Sequence, residues 1–205
     1  MNVWMIPVGQ LVNTLILMIW LRIRRREKLL TFRFCMKLRW KRYTAELAYL
    51  LPSVCQFIYF GIQPRSAMSI LCIFLTVIQE EILFRGILLD WLGRFGQTIS
   101  MILSGVIFAA AHLMNPADGA GLSVLGYQLI YAMAAGIAFA GLALSEKSLI
   151  PCIVIHFLNN LSASDSPVLP AGYLPWFWLC VMIYLTCGIH RICFLNKLSS
   201  GRNYQ

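Results

Sequence analysis

Charge is scarce in this chain. Only 12% of its 205 residues are Asp, Glu, Lys or Arg, about half the share of an ordinary soluble domain. That scarcity excludes the charged, water-facing surface that a soluble protein of this size needs. The seven cysteines are odd in number, mostly inside apolar runs, and form no C-x-x-C pair. A disulfide framework or thiolate zinc site is therefore not expected, and the thiols read as small apolar side chains. No H-E-x-x-H stretch occurs, so the helix that holds zinc in many metalloproteases is missing. Neither an internal repeat of solenoid length nor a low-complexity segment is present.

Apolar residues make up 60% of the chain, against about 45–50% in soluble domains. They gather into runs of roughly helical length at 3–21, 44–63, 67–92, 97–114, 122–144, 149–163 and 173–195. This pattern predicts an all-α, polytopic transmembrane helical bundle of about seven spans. The run at 149–163 is short for a span and is expected to tilt little or to extend past Ser164. Turn chemistry separates the later runs, at Asn115-Pro116 with Gly119 and Gly121, and again from Ser166-Pro167 to Gly172. The small residues Ala135, Gly136, Ala140 and Gly141 lie close together in one run, where they permit close approach of helix backbones.

The charge that exists is concentrated. Residues 22–42 carry ten lysines and arginines against Glu27 alone, which equals the net charge of +9 of the whole chain. A basic block between two apolar spans marks a cytoplasmic loop facing anionic lipid. Phe32, Phe34 and Trp40 within it suit a helix lying on the membrane surface. The lipid bilayer is thus the expected partner of this block, and no nucleic acid is needed to explain it. In the first run the charges follow the apolar stretch instead of preceding it, unlike a signal peptide. Alternating the spans from an outside N-terminus puts the block, Arg94, Lys147, Lys197 and Arg202 inside and only Arg65 outside. The expected topology is N-terminus out and C-terminus in. Three regions follow: 1–43 as an N-terminal span and basic loop, 44–195 as the helical bundle, and 196–205 as a tail. The small size and the lack of recognisable eukaryotic sorting signals point to a bacterial inner membrane.

Of the eight acids, all but two lie near span ends or in loops. Glu80 and Glu81 fall near the middle of the third run, in TVIQEEILFRGILL. An acid at a helix centre costs about 2.5–3.5 kcal/mol on insertion scales, so the pair needs an explanation. Arg85 follows Glu81 by four residues on the same helix face, where an ion pair forms. Glu80 points about 100° away and is less neutralised. Glu81 and Arg85 then form a structural pair while Glu80 is the reactive group; the sequence alone leaves the reverse assignment open. Taken alone, the cluster suits an ion or proton pathway as well as a hydrolytic site.

Two histidines favour hydrolysis. His112 ends the run SGVIFAAAHL, four residues after Phe108, and His156 lies in SLIPCIVIHFLNN, four residues before Asn160. Both sit on spans separate from that of Glu80, and a bundle can bring all three together around a wet cavity. Peptide hydrolysis needs a base to deprotonate water and donors for the tetrahedral oxyanion. Loss of hydration strengthens a carboxylate as a base, an imidazole shuttles the proton, and an amide such as Asn160 donates to the oxyanion. His190, beside Arg191 near the basic end of the last run, reads as an interfacial residue.

These residues resemble the CAAX-protease and bacteriocin-processing family of intramembrane proteases, also called Abi or CPBP. Its hallmarks are Glu-Glu-x-x-x-Arg, Phe-x-x-x-His and His-x-x-x-Asn/Asp on separate membrane helices, in that order. Here they are Glu80-Glu81-x-x-x-Arg85, Phe108-x-x-x-His112 and His156-x-x-x-Asn160. The likeness covers roughly residues 66–163. It implies that Glu80 and His112 activate the water, that His156 and Asn160 form the oxyanion site, and that Glu81, Arg85 and Phe108 give structural support. The implied substrate is a membrane-associated or lipidated protein or peptide; the family includes enzymes that remove the last three residues of prenylated proteins, and others that process peptides or serve bacteriocin self-immunity. No cofactor is favoured, with a divalent metal such as zinc on Glu80, His112 and His156 as the alternative. The competing function is non-catalytic: bacteriocin immunity by binding, or an ion or proton pathway. One mismatch accompanies the likeness: His112 falls near the outer end of its run, whereas Glu80 and His156 lie deeper.

Overall fold

In the computed structural model, residues 5–23, 47–114, 122–164 and 170–202 are described. Most of the basic block, the Asn115-Pro116 turn with Gly119 and Gly121, and the Ser166-Pro167 turn lie outside them. Each expected apolar run contains one helix, and no strand occurs among the described residues. The helices are α1 (Met5–Ile23), α2 (Ala48–Phe60), α3 (Ala67–Phe95), α4 (Gln97–Ala111), α5 (Leu122–Glu146), α6 (Ile150–Ser162) and α7 (Leu174–Arg202). A 3-10 turn extends α4 through His112–Met114, and another, Ala171–Tyr173, leads into α7.

Local chemistry sets the boundaries. The Ser66 hydroxyl accepts from the Ser69 N–H at 3.1 Å and caps the start of α3. Proline near the first helical position begins the regular part of α2 and all of α6, where its missing N–H costs nothing. Gly61 and Gly96 end α2 and α3 with φ of 71° and 88°, a conformation that favours glycine.

The all-α bundle expected from the apolar runs is present, but its helices differ in reach. Ala67–Phe95, Leu122–Glu146 and Ala171–Leu198 are long and apolar enough to cross a membrane. The apolar parts of α1, α2, α4 and α6 are shorter. Helix α6 does not extend past Ser164; it ends at Ser162, with its last turn closed by Ala163 N–H to the Asn159 carbonyl.

The core forms where α5 runs through the middle, packed on α4 along one side and α7 along another. Its buried face is mostly alanine and glycine, with Phe139 and Leu142 among them, so backbones come close. A Cβ on Gly136 would lie 2.8 Å from Gly105 Cα, and one on Gly105 would lie 2.8 Å from Ile137 N. Gly136→Leu is therefore expected to push α4 from α5 and lower stability by about 1–3 kcal/mol, as overpacked cores do. Gly126→Leu, where nothing lies within 4 Å, is the control; thermal unfolding in detergent would compare the two, and equal melting would refute the close approach.

A second ion pair, with a buried arginine and a partly exposed glutamate, ties α5 to α7. Arg191 is only 4% exposed, and its Nη1 lies 3.6 Å from Glu146 Oε1. Arg191 turns inward, whereas its neighbour His190 is exposed.

Candidate active site

The site is built from three helices that each bring one motif. Helix α3 is regular through Glu81, then continues as a π-helix over Ile82–Leu88. Such turns are rare and recur at functional sites. Glu81 is fully buried, and its Oε1 accepts from Arg85 Nη1 at 3.1 Å. The same oxygen lies 2.7 Å from His156 Nδ1 on α6. A carboxylate only accepts, so Nδ1 carries the proton. The other ring nitrogen, Nε2, faces Glu80 Oε2 at 3.5 Å. His156 thus bridges the two glutamates, with Glu81 as the inner member and Glu80, 24% exposed at its side chain, as the outer one.

Phe108 on α4 is the hub. Arg85 Cζ sits 4.2 Å above its ring, so the guanidinium faces π-electrons where the buried Nε and Nη2 find no hydrogen-bond acceptor among the described residues. The Phe108 ring also lies 4.8 Å from that of His112, 5.8 Å from His156 and 5.0 Å from Phe84. His112 Nδ1 is 2.9 Å from the Phe108 carbonyl, which accepts its proton and leaves Nε2 as the lone-pair nitrogen of the neutral ring. The height mismatch between the two histidines is resolved here: both rings pack against Phe108.

His112, His156 and Asn160 open onto one cavity of about 310 Å³, with Phe108 and Phe139 in its wall. Glu80 joins the assembly through His156 and is not a lining residue, and it shares no hydrogen bond with His112. Among the described residues, no three His, Cys, Asp or Glu side chains gather closely enough to hold a metal ion.

The family model for Rce1-like type II CAAX prenyl endopeptidases matches residues 62–162. The chain belongs to this family. No curated protein and no solved structure matches it. The membership makes this chain a CAAX-type protease, and with its apolar helices an integral membrane protein.

The matched segment of this CAAX-type protease does not close the cavity alone. Gln56 and Phe60 from α2, with Tyr173 and Phe177 at the start of α7, complete the wall. A polar network missing from the sequence analysis runs along it. Gln56 Nε2 donates to Tyr131 Oη at 2.8 Å, and Tyr131 donates to Asn159 Oδ1 at 2.7 Å. Ser162 donates to Gln56 Oε1 at 3.0 Å. Only pairwise contacts between distant residues create this network, so no local spacing announces it. The one available signal was the doubled Asn159-Asn160; both line the cavity, and Asn159 also accepts from Tyr131.

Proposed function

We propose that this CAAX-type protease hydrolyses a peptide bond of a membrane-associated or lipidated protein, with Glu80 and His112 activating the water. In this reading the water proton passes to Glu80, and the resulting hydroxide adds to the carbonyl carbon. His156 and Asn160 then stabilise the oxyanion. In this reading the Nδ1–H of His156 stays on Glu81, which turns Nε2 toward the oxygen that bears charge. Collapse of the intermediate breaks the C–N bond as the proton is returned to the leaving amine. Glu81, Arg85 and Phe108 hold these groups in place. The observation that carries the reading is His156, which touches both glutamates and opens onto the cavity shared with His112 and Asn160. We further propose a metal-free site in a bacterial inner membrane, N-terminus outside, with the bilayer and the peptide as partners.

The glutamate–histidine–glutamate line also suits a proton pathway, since its members pass one proton between neighbours. Cleavage separates the two. Purified protein in liposomes, given a farnesylated peptide ending in a CaaX box, is expected to release the last three residues, followed by mass spectrometry. His112→Ala is expected to lose about 10²–10⁴ in rate, and a chelator is expected to change nothing. Cleavage surviving in His112→Ala would refute the site, and chelator-sensitive cleavage would refute the metal-free mechanism. Proton flux without cleavage would support the pathway.

A further inference from the structure

Helix α1 lies outside the matched residues 62–162 and carries none of the three motifs. It is nevertheless pinned to α3 by polar contacts one residue before Glu80. Gln79 Nε2 donates to the Gln10 carbonyl at 2.8 Å and to Thr14 Oγ1 at 2.9 Å. Gln10 Nε2 donates to Thr76 Oγ1 at 2.7 Å, and the Thr14 hydroxyl returns to the Gln10 carbonyl at 2.8 Å. Gln79 therefore grips two adjacent acceptors supplied by residues one turn apart on α1, while Gln10 grips α3 one turn earlier. Sliding or rotating either helix by one residue breaks all the interhelical bonds together. In an apolar surround the freed amides find no water to replace them.

The placement of this clasp gives it a role. Gln79 and Glu81 are two residues apart, about 200° around a helix. Helix α3 is thus held on nearly opposite sides, by α1 at Gln79 and by His156 of α6 at Glu81, with Glu80 between them. Beyond Glu81 the backbone turns π-helical, so a regular hydrogen-bond ladder does not continue to set the rotation of the glutamates. The contact that this rotation controls is the 3.5 Å separation of Glu80 Oε2 from His156 Nε2.

We propose that Gln79, Gln10 and Thr14 are positioning residues, a clasp through which α1 fixes the rotation of α3 and presents Glu80 to His156. The catalytic part of the inference rests on the proteolytic reading above; the structural part does not. The test uses the full chain in detergent with Gln79→Leu, the milder Thr14→Val, and both together. Turnover of the farnesylated CaaX peptide is read beside the ring ¹⁵N resonances of the three histidines.

Gln79→Leu is expected to lower kcat about 10- to 100-fold, the scale on which small misplacements of catalytic groups act, with KM little changed. Thr14→Val should do the same less strongly, and the double variant should be no worse than Gln79→Leu, because both remove one clasp. The His156 resonances should move while those of His190 stay. Unmoved His156 resonances in Gln79→Leu would overturn the clasp, and so would additive losses in the double variant. If Gln79→Leu fails to fold, Thr14→Val carries the same comparison. A wild-type protein that leaves the peptide intact would defeat the proteolytic reading, and the resonances alone would then decide whether the clasp exists.

Discussion

Glu80→Gln is expected to lower the cleavage rate by about 10²–10⁴-fold, the range lost when a general base is removed. Glutamine keeps the size and shape of glutamate but neither takes a proton from water nor carries charge. Glu80 is the partly exposed member of the pair, and among the described residues its ion-pair contact is His156 Nε2. The amide oxygen can face that nitrogen as the carboxylate does, so the helices have no reason to separate. Thermal unfolding should be little altered while activity disappears, a combination that distinguishes a lost base from a damaged fold. Initial rates on the farnesylated peptide, with melting curves on the same samples, give both readouts. If Glu80→Gln cleaved normally and Glu81→Gln did not, the roles of the two acids would be reversed.

The largest expected effect on stability comes from Arg85→Met. Arg85 and Glu81 both have fully buried side chains, joined at 3.1 Å. Removing the guanidinium leaves the buried Glu81 carboxylate without its arginine, with the His156 Nδ1–H still beside it; breaking a buried pair from one side costs about 3–5 kcal/mol. It also removes the cation over Phe108. Replacing both members at once, as Glu81→Leu with Arg85→Met, should recover much of the fold, because no unpaired charge remains. The recovered protein should stay inactive, since His156 Nδ1 has lost the oxygen at 2.7 Å that orients the ring. Chemical unfolding of the two single variants and the double variant tests this. A double variant as unstable as Arg85→Met would show that Arg85 works mainly through its aromatic neighbours.

What the sequence revealed and what it withheld divide along a physical line. The positions of the helices were legible because apolar run length is a local property, and all seven runs contain one. The Glu81–Arg85 pair was legible because four-residue spacing places two side chains on one face. The contact of His156 with both glutamates was not, because residues 75 positions apart meet only through the packing of α3 against α6. Phe108 was noticed as a motif position, yet its role under Arg85 and between two imidazoles depends on three helices at once. The run at 44–63 overshot the end of α2, which stops at Phe60. Hydropathy does not register a proline start or a glycine end as sharply as the backbone does.

The shortness of α6 has a consequence for the lipid around it. Thirteen helical residues rise only about 20 Å, against about 30 Å of hydrocarbon in a typical bilayer. Acyl chains beside α6 must compress, or headgroups must dip, to meet its ends. His156 is the seventh residue of this helix, so about 10 Å of helix separates it from either end. Water entering from a dimpled leaflet would travel that distance instead of half an undeformed membrane. The shortness of α6 would thus shorten the route by which the proposed hydrolysis draws its water.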